Sequence, residues 1–385
     1  MPQVSQALRT LKASSTVAFN ARALELQREG VDVIAMTAGE PDFQPPAHVL
    51  RAAHDAIERG MTKYTASEGT RDLRQAIVDK HARENDLHYT PEQVIVSTGG
   101  KQVLYNAFMA MLDPGDEVIL PAPYWVSYPA QVQLAGGVSV AVATSAEDGF
   151  VPDPAAIAAA ITPRTRAIVV NSPGNPTGAV WPAEVLRAIA DLCERHDLWL
   201  ITDELYEHLV YDGDFTAAAQ WYPERTLLVH GASKGYALTG WRLGWGCGPT
   251  SLIQAMAKLQ GQVTSNANAI AQHATRVALE AVDETAAFQA MTRAAYRERR
   301  DVIVRGLNDL GLPTPTPQGA FYVMADVRAI DPDETVAATA LLERARVGVV
   351  PGTDFLAPGF ARLSYATSLP AIQTALERIR AFLAA

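Results

Sequence analysis

Lys234 and Arg242 are the two residues from which the chemistry of this chain is first read. Lys234 lies in VHGASKGYALTGWRLGWG, just beyond the apolar run 226–229, and Arg242 follows eight positions later among glycines. An amine at the mouth of a sheet can form a Schiff base with an aldehyde. A nearby guanidinium can grip a phosphate through two parallel hydrogen bonds. The pair is what a pyridoxal phosphate enzyme needs.

Two more apolar runs end in polar groups. Residues 167–170 lead into NSPGNPTG (171–178), and 199–202 lead into Asp203, Glu204, Leu205 and Tyr206. In open α/β sheets ligands collect beyond the carboxyl ends of the strands. Transamination draws charge from the substrate α-carbon into the cofactor ring, which accepts it while its nitrogen stays protonated. A buried carboxylate beside that nitrogen would hold the proton, and Asp203 is the candidate. Tyr206 and Asn175 are candidates to donate to the ring hydroxyl oxygen. Lys234, once displaced by substrate, can move the proton at the α-carbon. Singly these residues mean little, since an aspartate after a strand is ordinarily an N-cap and a lone lysine a surface charge. Their recurrence at three successive strand ends argues for a site.

The elements that must position them follow from periodicity. Strands are expected at 94–97, 117–120, 138–141, 167–170, 199–202 and 226–229, with helices at 102–112, 125–134, 182–196 and 252–260 between or after them. Strands spaced by helices predict an α/β fold with a mostly parallel sheet sandwiched by helices. Upstream, helices are expected at 17–28 and 48–59 and a strand at 33–36. From about 283 onwards a charged helix, strands at 320–324, 347–350 and 362–365, and helices near 335–344 and from 369 predict a smaller α+β domain. The expected division is an N-terminal arm at 1–13, a large cofactor domain at 43–282, and a small domain made of 14–42 and 283–385.

Composition bounds the rest. The chain has 385 residues, 48% hydrophobic, with a formal charge of −10, which argues against nucleic acid as the partner, since a binding stripe needs clustered Lys and Arg. The two cysteines, Cys193 and Cys247, lack ligand spacing and are expected to be buried small hydrophobes, with no metal. The first residues lack an apolar signal core and no stretch approaches a membrane span, so a cytoplasmic protein is expected. No GxGxxG follows the first strand, which disfavours a nicotinamide enzyme.

NSPGNPTG, ITDELYEHLVY (201–211) and GASKGYALTGWRLG (231–244) resemble the fold-type I, class I aminotransferases. So do TAGEPDF (37–43), TKY (62–64), STGGKQ (97–102), DPGDEV (113–118), PAPYWVSYP (121–129), GAFYV (319–323), VVPGTDF (349–355) and RLSYAT (362–367), in the same order from about residue 14 to the C-terminus. Within that family the chain is most similar to the prokaryotic aspartate aminotransferase subgroup, and the resemblance implies a sheet of the seven-stranded type. The resemblance implies Lys234 as the Schiff-base lysine, Arg242 as the phosphate arginine, Asp203 as the ring-nitrogen partner, Tyr206 as the ring-hydroxyl donor and Asn175 as a contact to cofactor and substrate carboxylate. It implies Trp125 stacked on the ring, Gly99, Gly100 and Lys101 around the phosphate, Ser233 as its neighbour, and Tyr64 reaching the phosphate of a partner subunit. Gly39 and Arg362 are implied as the clamp on the substrate α-carboxylate, a task for which a planar guanidinium fork is well suited.

A dicarboxylic substrate needs a second cation. No arginine matches the one the animal-type enzymes take from the partner subunit, and the resembling subgroup implies Lys101 with Ser15 and Thr16 instead. Lys12, and Ser14 beside the pair, lie close in sequence, and Lys12 could meet a bulkier dicarboxylate such as prephenate. The expected activity is transfer between aspartate or glutamate and 2-oxoglutarate or oxaloacetate in a homodimer. The alternatives are an aromatic, kynurenine or prephenate aminotransferase, or a carbon–sulfur β-lyase.

Overall fold

A computed structural model of the protein describes residues 4–11 and 15–385. Lys12 and Ser14 lie outside the described residues. Twelve strands are numbered along the described chain: β1 (Ile34–Ala35), β2 (Val94–Ser97), β3 (Glu117–Ala122), β4 (Val138–Ala143), β5 (Thr165–Asn171), β6 (Trp199–Asp203), β7 (Thr226–Gly231), β8 (Gly244–Cys247), β9 (Tyr322–Asp326), β10 (Val347–Gly348), β11 (Val350–Pro351) and β12 (Phe360–Ser364). Seven form one sheet in the order β2-β8-β7-β6-β5-β3-β4. The run from β7 to β4 is parallel, and β8 lies antiparallel to both its neighbours.

Alternating residues of the parallel strands enter two different cores. Val118, Val169, Ile201 and Val229 pack with Val103, Leu104 and Met256 from the helices Gly100–Met111 and Thr250–Val263. Ile119, Ile168, Val170 and Leu200 pack on the opposite face with Leu186, Ile189 and Ala190 of the helix Ala183–Arg195. Burial on both faces explains why these strands read as unbroken apolar runs rather than alternating ones.

The C-terminal part is a three-stranded antiparallel sheet, β11-β12-β9, packed with the helices Val282–Asp309 and Leu369–Leu383 around Phe321, Val323, Leu363 and Tyr365. β1 pairs in parallel with β10, which ties the segment after the helix Ser15–Arg28 to the C-terminal part. The continuous strand expected at 347–350 is two short strands in different sheets, because the chain changes partners at Val349. Cys193 and Cys247 are buried and free.

Four elements escaped the periodicity, one of them the helix Ala269–Glu280. Between residues 4 and 11 a short helix, Gln6–Thr10, occupies the expected arm. The helix Arg71–Asn85 buries Lys80 and His81 beside Leu73 and Ile77, so polar residues interrupt its apolar stripe. β8 reads GWGC, and glycine argues against a strand. The structure supplies the reason for the glycine: a Cβ at Gly244 would collide with the backbone nitrogen of Gly100. The strand forms because its bare backbone lets the helix Gly100–Met111 start against the sheet.

Candidate active site

β7, β6 and β5 are neighbours in the sheet, so their carboxyl ends open side by side. The polar residues that follow each strand therefore converge on one cleft of about 350 Å³. Thr16, Gly39, Gly100, Lys101, Trp125, Asn175, Asp203, Tyr206, Ser233, Lys234, Arg242 and Arg362 all line it. Gly99 adjoins it through Arg242. Ser15 is beside it in sequence, with its backbone nitrogen donating to the Asp354 carboxylate at 2.5 Å. Tyr64 is not brought in: it is 90% exposed and borders a separate surface groove with Asn266 and Asn268.

Asp203 sits at the floor, fully enclosed. Burial pushes its carboxyl up to about 6, against the opposing pull of a hydrogen bond from Tyr128 and of Leu205 N–H. Tyr128 Oη donates to Asp203 Oδ2 at 2.7 Å. Asn171 braces the same turn, its Nδ2 donating to Asp203 O at 3.0 Å and its Oδ1 accepting from Asn175 N at 2.9 Å. The Tyr206 and Tyr322 hydroxyls meet at 2.8 Å, and burial followed by Tyr322 raises the Tyr206 phenol well above its ordinary value. Tyr128 and Tyr322 are site residues that sequence reasoning did not single out, although both lie within family motifs, PAPYWVSYP and GAFYV.

The Lys234 amine points into the cleft and donates to Gly39 O at 2.5 Å, with the rings of Tyr206 and Phe321 at 5.7 and 5.8 Å. Burial, then the Arg362 charge, lowers its pKa to about 8. A larger share of neutral amine at physiological pH is what a nucleophile requires.

Across from it, Gly99 has φ +84° and immediately precedes the first turn of Gly100–Met111. A Cβ at Gly99 would lie 2.8 Å from Arg242 Nη2. Arg242, itself in the left-handed region at φ 54°, donates to Thr239 O at 2.8 Å. A helix start with open N–H groups facing a guanidinium is an anion cradle. Lys101 lies over the Trp125 ring at 4.9 Å, its pKa lowered by burial and by Arg242.

Arg362 is only 2% exposed. Its Nη1 donates to Asn175 Oδ1 at 3.0 Å and its Nη2 to Thr37 O at 2.6 Å, while Nε has no partner among the described residues. The hydroxyls of Ser15 and Thr16 are likewise buried and, among the described residues, unpartnered. Among the described residues, none of the cleft cations Lys101, Lys234, Arg242 and Arg362 has a carboxylate within ion-pair distance. Such a site is built to receive several negative charges.

Cradle, buried carboxylate and lowered lysine together define a pyridoxal phosphate site. The whole chain agrees: residues 31–379 match the family profile "Aminotransferase class I and II", and the protein belongs to that family. It is 54% identical to the aspartate/prephenate aminotransferase of Thermus thermophilus over 98% of both chains, and 48% identical to that of Cereibacter sphaeroides over 100% of this chain and 99% of the other. A solved structure of the Thermus thermophilus aspartate aminotransferase with maleate superposes with a TM-score of 0.98, covering 99% of this chain and 100% of that one. The protein is an aminotransferase whose cofactor is pyridoxal 5′-phosphate. The residues present fit that group: the glycine cradle leaves room where a side chain would block it, and Arg242 faces that room.

Proposed function

We propose that the protein transfers the amino group of an acidic L-amino acid, aspartate or glutamate, to 2-oxoglutarate or oxaloacetate in a two-stage, ping-pong cycle. The observation that carries this reading is the set of cleft cations without carboxylate partners among the described residues. A phosphate and one α-carboxylate would occupy Arg242 and Arg362, which leaves Lys101 for a further carboxylate.

Bound pyridoxal phosphate supplies an electrophilic carbonyl carbon and a ring that accepts electrons from the substrate α-carbon. Gly99, Gly100, Ser233 and Arg242 would hold the phosphate. Asp203 would keep a proton on the ring nitrogen, with Tyr128 keeping Asp203 ionised. Tyr206 and Asn175 would donate to the ring hydroxyl oxygen, and Trp125 would stack on the ring. Arg362, with Gly39 lining the cleft opposite, takes the substrate α-carboxylate through its free Nε–H. Lys234 Nζ moves the proton at the substrate α-carbon. Lys101, Ser15 and Thr16 bind the distal carboxylate.

The reading includes a homodimer in the cytoplasm, with Tyr64 serving the partner's phosphate; its 90% exposure in a single chain favours that. It also includes a large domain at 43–282 and a small domain at 14–42 and 283–385 that closes over substrate. Prephenate is a second acceptor, favoured by the names of the Thermus thermophilus and Cereibacter sphaeroides relatives.

A donor panel against 2-oxoglutarate tests the reading. Aspartate and glutamate should lead, and Lys101→Ala should lower kcat/KM for them far more than for phenylalanine. Equal losses on both would count against Lys101 as the distal-carboxylate group. Pyruvate and ammonia released without an acceptor would indicate a lyase.

A further inference from the structure

The turn after β6 presents two faces. Asp203 and Tyr206 line the cleft, whereas Glu207 reaches a buried polar cluster behind it. There Lys80, wholly buried, donates from Nζ to Glu207 Oε2. Asn85 Nδ2 donates to Glu207 Oε1 at 2.5 Å, and Lys80 Nζ also reaches Asn85 Oδ1 at 2.9 Å. His230 Nε2 lies 2.8 Å from Glu207 Oε2, although its N–H does not line up on that oxygen. Lys80 and Asn85 belong to the helix Arg71–Asn85, and His230 belongs to β7, four residues before Lys234.

Glu207, His208 and His230 have ligand atoms within 4.8 Å of one another, as compact as a metal centre. The cation on this carboxylate is instead the Lys80 ammonium. Burial opposes ionisation of Glu207, yet the Lys80 charge outweighs it and holds its pKa well below the usual carboxylate range. Burial and then the Lys80 charge lower His230 to about 4, so its ring is neutral at physiological pH. A buried ion pair is a poor source of stability, because apolar residues of similar volume do as well or better. What it supplies is direction: the carboxylate can be satisfied in one place only.

We propose that the Lys80–Glu207 pair is a positioning device for the active site, fixing the 203–207 turn between the helix Arg71–Asn85 and β7 so that Tyr206 is held at its cleft position against Tyr322. The proposal rests on the reading of Tyr206 as a cofactor contact. It assigns a functional reason to Lys80, which interrupts the apolar stripe of that helix.

The test is the double variant Lys80→Met/Glu207→Met in the cofactor-loaded enzyme. Each single variant strands a buried partner and should lower Tm, while the double variant should recover it. If the pair positions Tyr206, the double variant stays impaired despite its recovered Tm: kcat falls by about tenfold to a hundredfold with little change in KM. The pH midpoint of the bound cofactor's absorbance also moves, and a crystal structure of the cofactor-free variant shows the 2.8 Å Tyr206–Tyr322 contact broken. A double variant with wild-type kcat, midpoint and contact overturns the proposal. Should it fail to fold, Asn85→Ala, which keeps the ion pair and removes one donor, must move the same midpoint in the same direction; no movement overturns it too. A wild-type enzyme inactive on every acidic donor would sink the substrate reading alone, since the Tyr206–Tyr322 contact still reports on positioning.

Discussion

Arg362 Nη1 donates to Asn175 Oδ1 at 3.0 Å, joining β12 to the loop after β5 across 187 positions of sequence. The contact fixes the Asn175 amide. Its oxygen is occupied by the guanidinium, so its NH2 is the group left to donate to a ligand. It also keeps Arg362 neutral-paired, with its full charge available to a substrate carboxylate.

Asn175→Asp should therefore damage substrate binding more than folding. The new carboxylate would pair with Arg362 and compete with the substrate. KM for aspartate should rise by about tenfold to a hundredfold, a loss of roughly 1.4–3 kcal/mol, in steady-state kinetics at saturating cofactor. Unchanged KM would show that Arg362 does not hold the α-carboxylate.

Tyr128→Phe removes the hydrogen bond that opposes the upward pull of burial on Asp203. In the cofactor-free protein a folded-state pKa of about 6, above the ordinary 3.8, means a stability contribution complete below 3.8 and lost as pH rises through about 6. The variant should extend that loss to higher pH. Thermal unfolding of wild type and variant between pH 4 and 8 measures it, and coincident profiles would remove Tyr128 from any influence on Asp203.

Lys234→Met should stabilise the cofactor-free protein at neutral pH while abolishing transamination. A lysine lowered from 10.5 to about 8 is disfavoured as a cation in the fold, by roughly 3 kcal/mol at about 1.4 kcal/mol per pH unit. The sign follows from linkage: the wild-type contribution is present above 10.5 and lost as pH falls through about 8. The advantage of the variant, read from urea midpoints, should thus be largest below pH 8 and fade towards 10.5. A gain that is independent of pH would point to packing instead.

Gly99→Ala should weaken cofactor binding. Its backbone is in the left-handed region, which L side chains rarely adopt, and the new methyl would crowd Arg242 Nη2 at 2.8 Å. An apparent Kd for pyridoxal phosphate raised at least about tenfold, or roughly 1.4 kcal/mol, is expected from absorbance titration. Wild-type affinity would mean that the cradle lies elsewhere.

Much of the site was legible beforehand because its residues are local to strand ends. Asp203 and Lys234 each follow an apolar run closely, and such runs carry their own periodicity. Tyr128 and Tyr322 were not, since their hydroxyls matter only through partners 75 and 116 positions away. β8 was hidden by its glycines, and the helix Arg71–Asn85 by Lys80 and His81. In both cases a tertiary demand, close backbone approach or a buried counter-ion, overrode local propensity.

The sequence by itself determined which chemical groups stand at the ends of which strands, because burial on both sheet faces writes a continuous apolar signal that stops where the strand stops. Only the tertiary structure decided that β7, β6 and β5 lie side by side, that Arg362 turns to Asn175, and that Lys80 answers Glu207. Those choices depend on which distant surfaces exclude water together, and a contact between residues far apart in the chain leaves no period for local patterning to reveal.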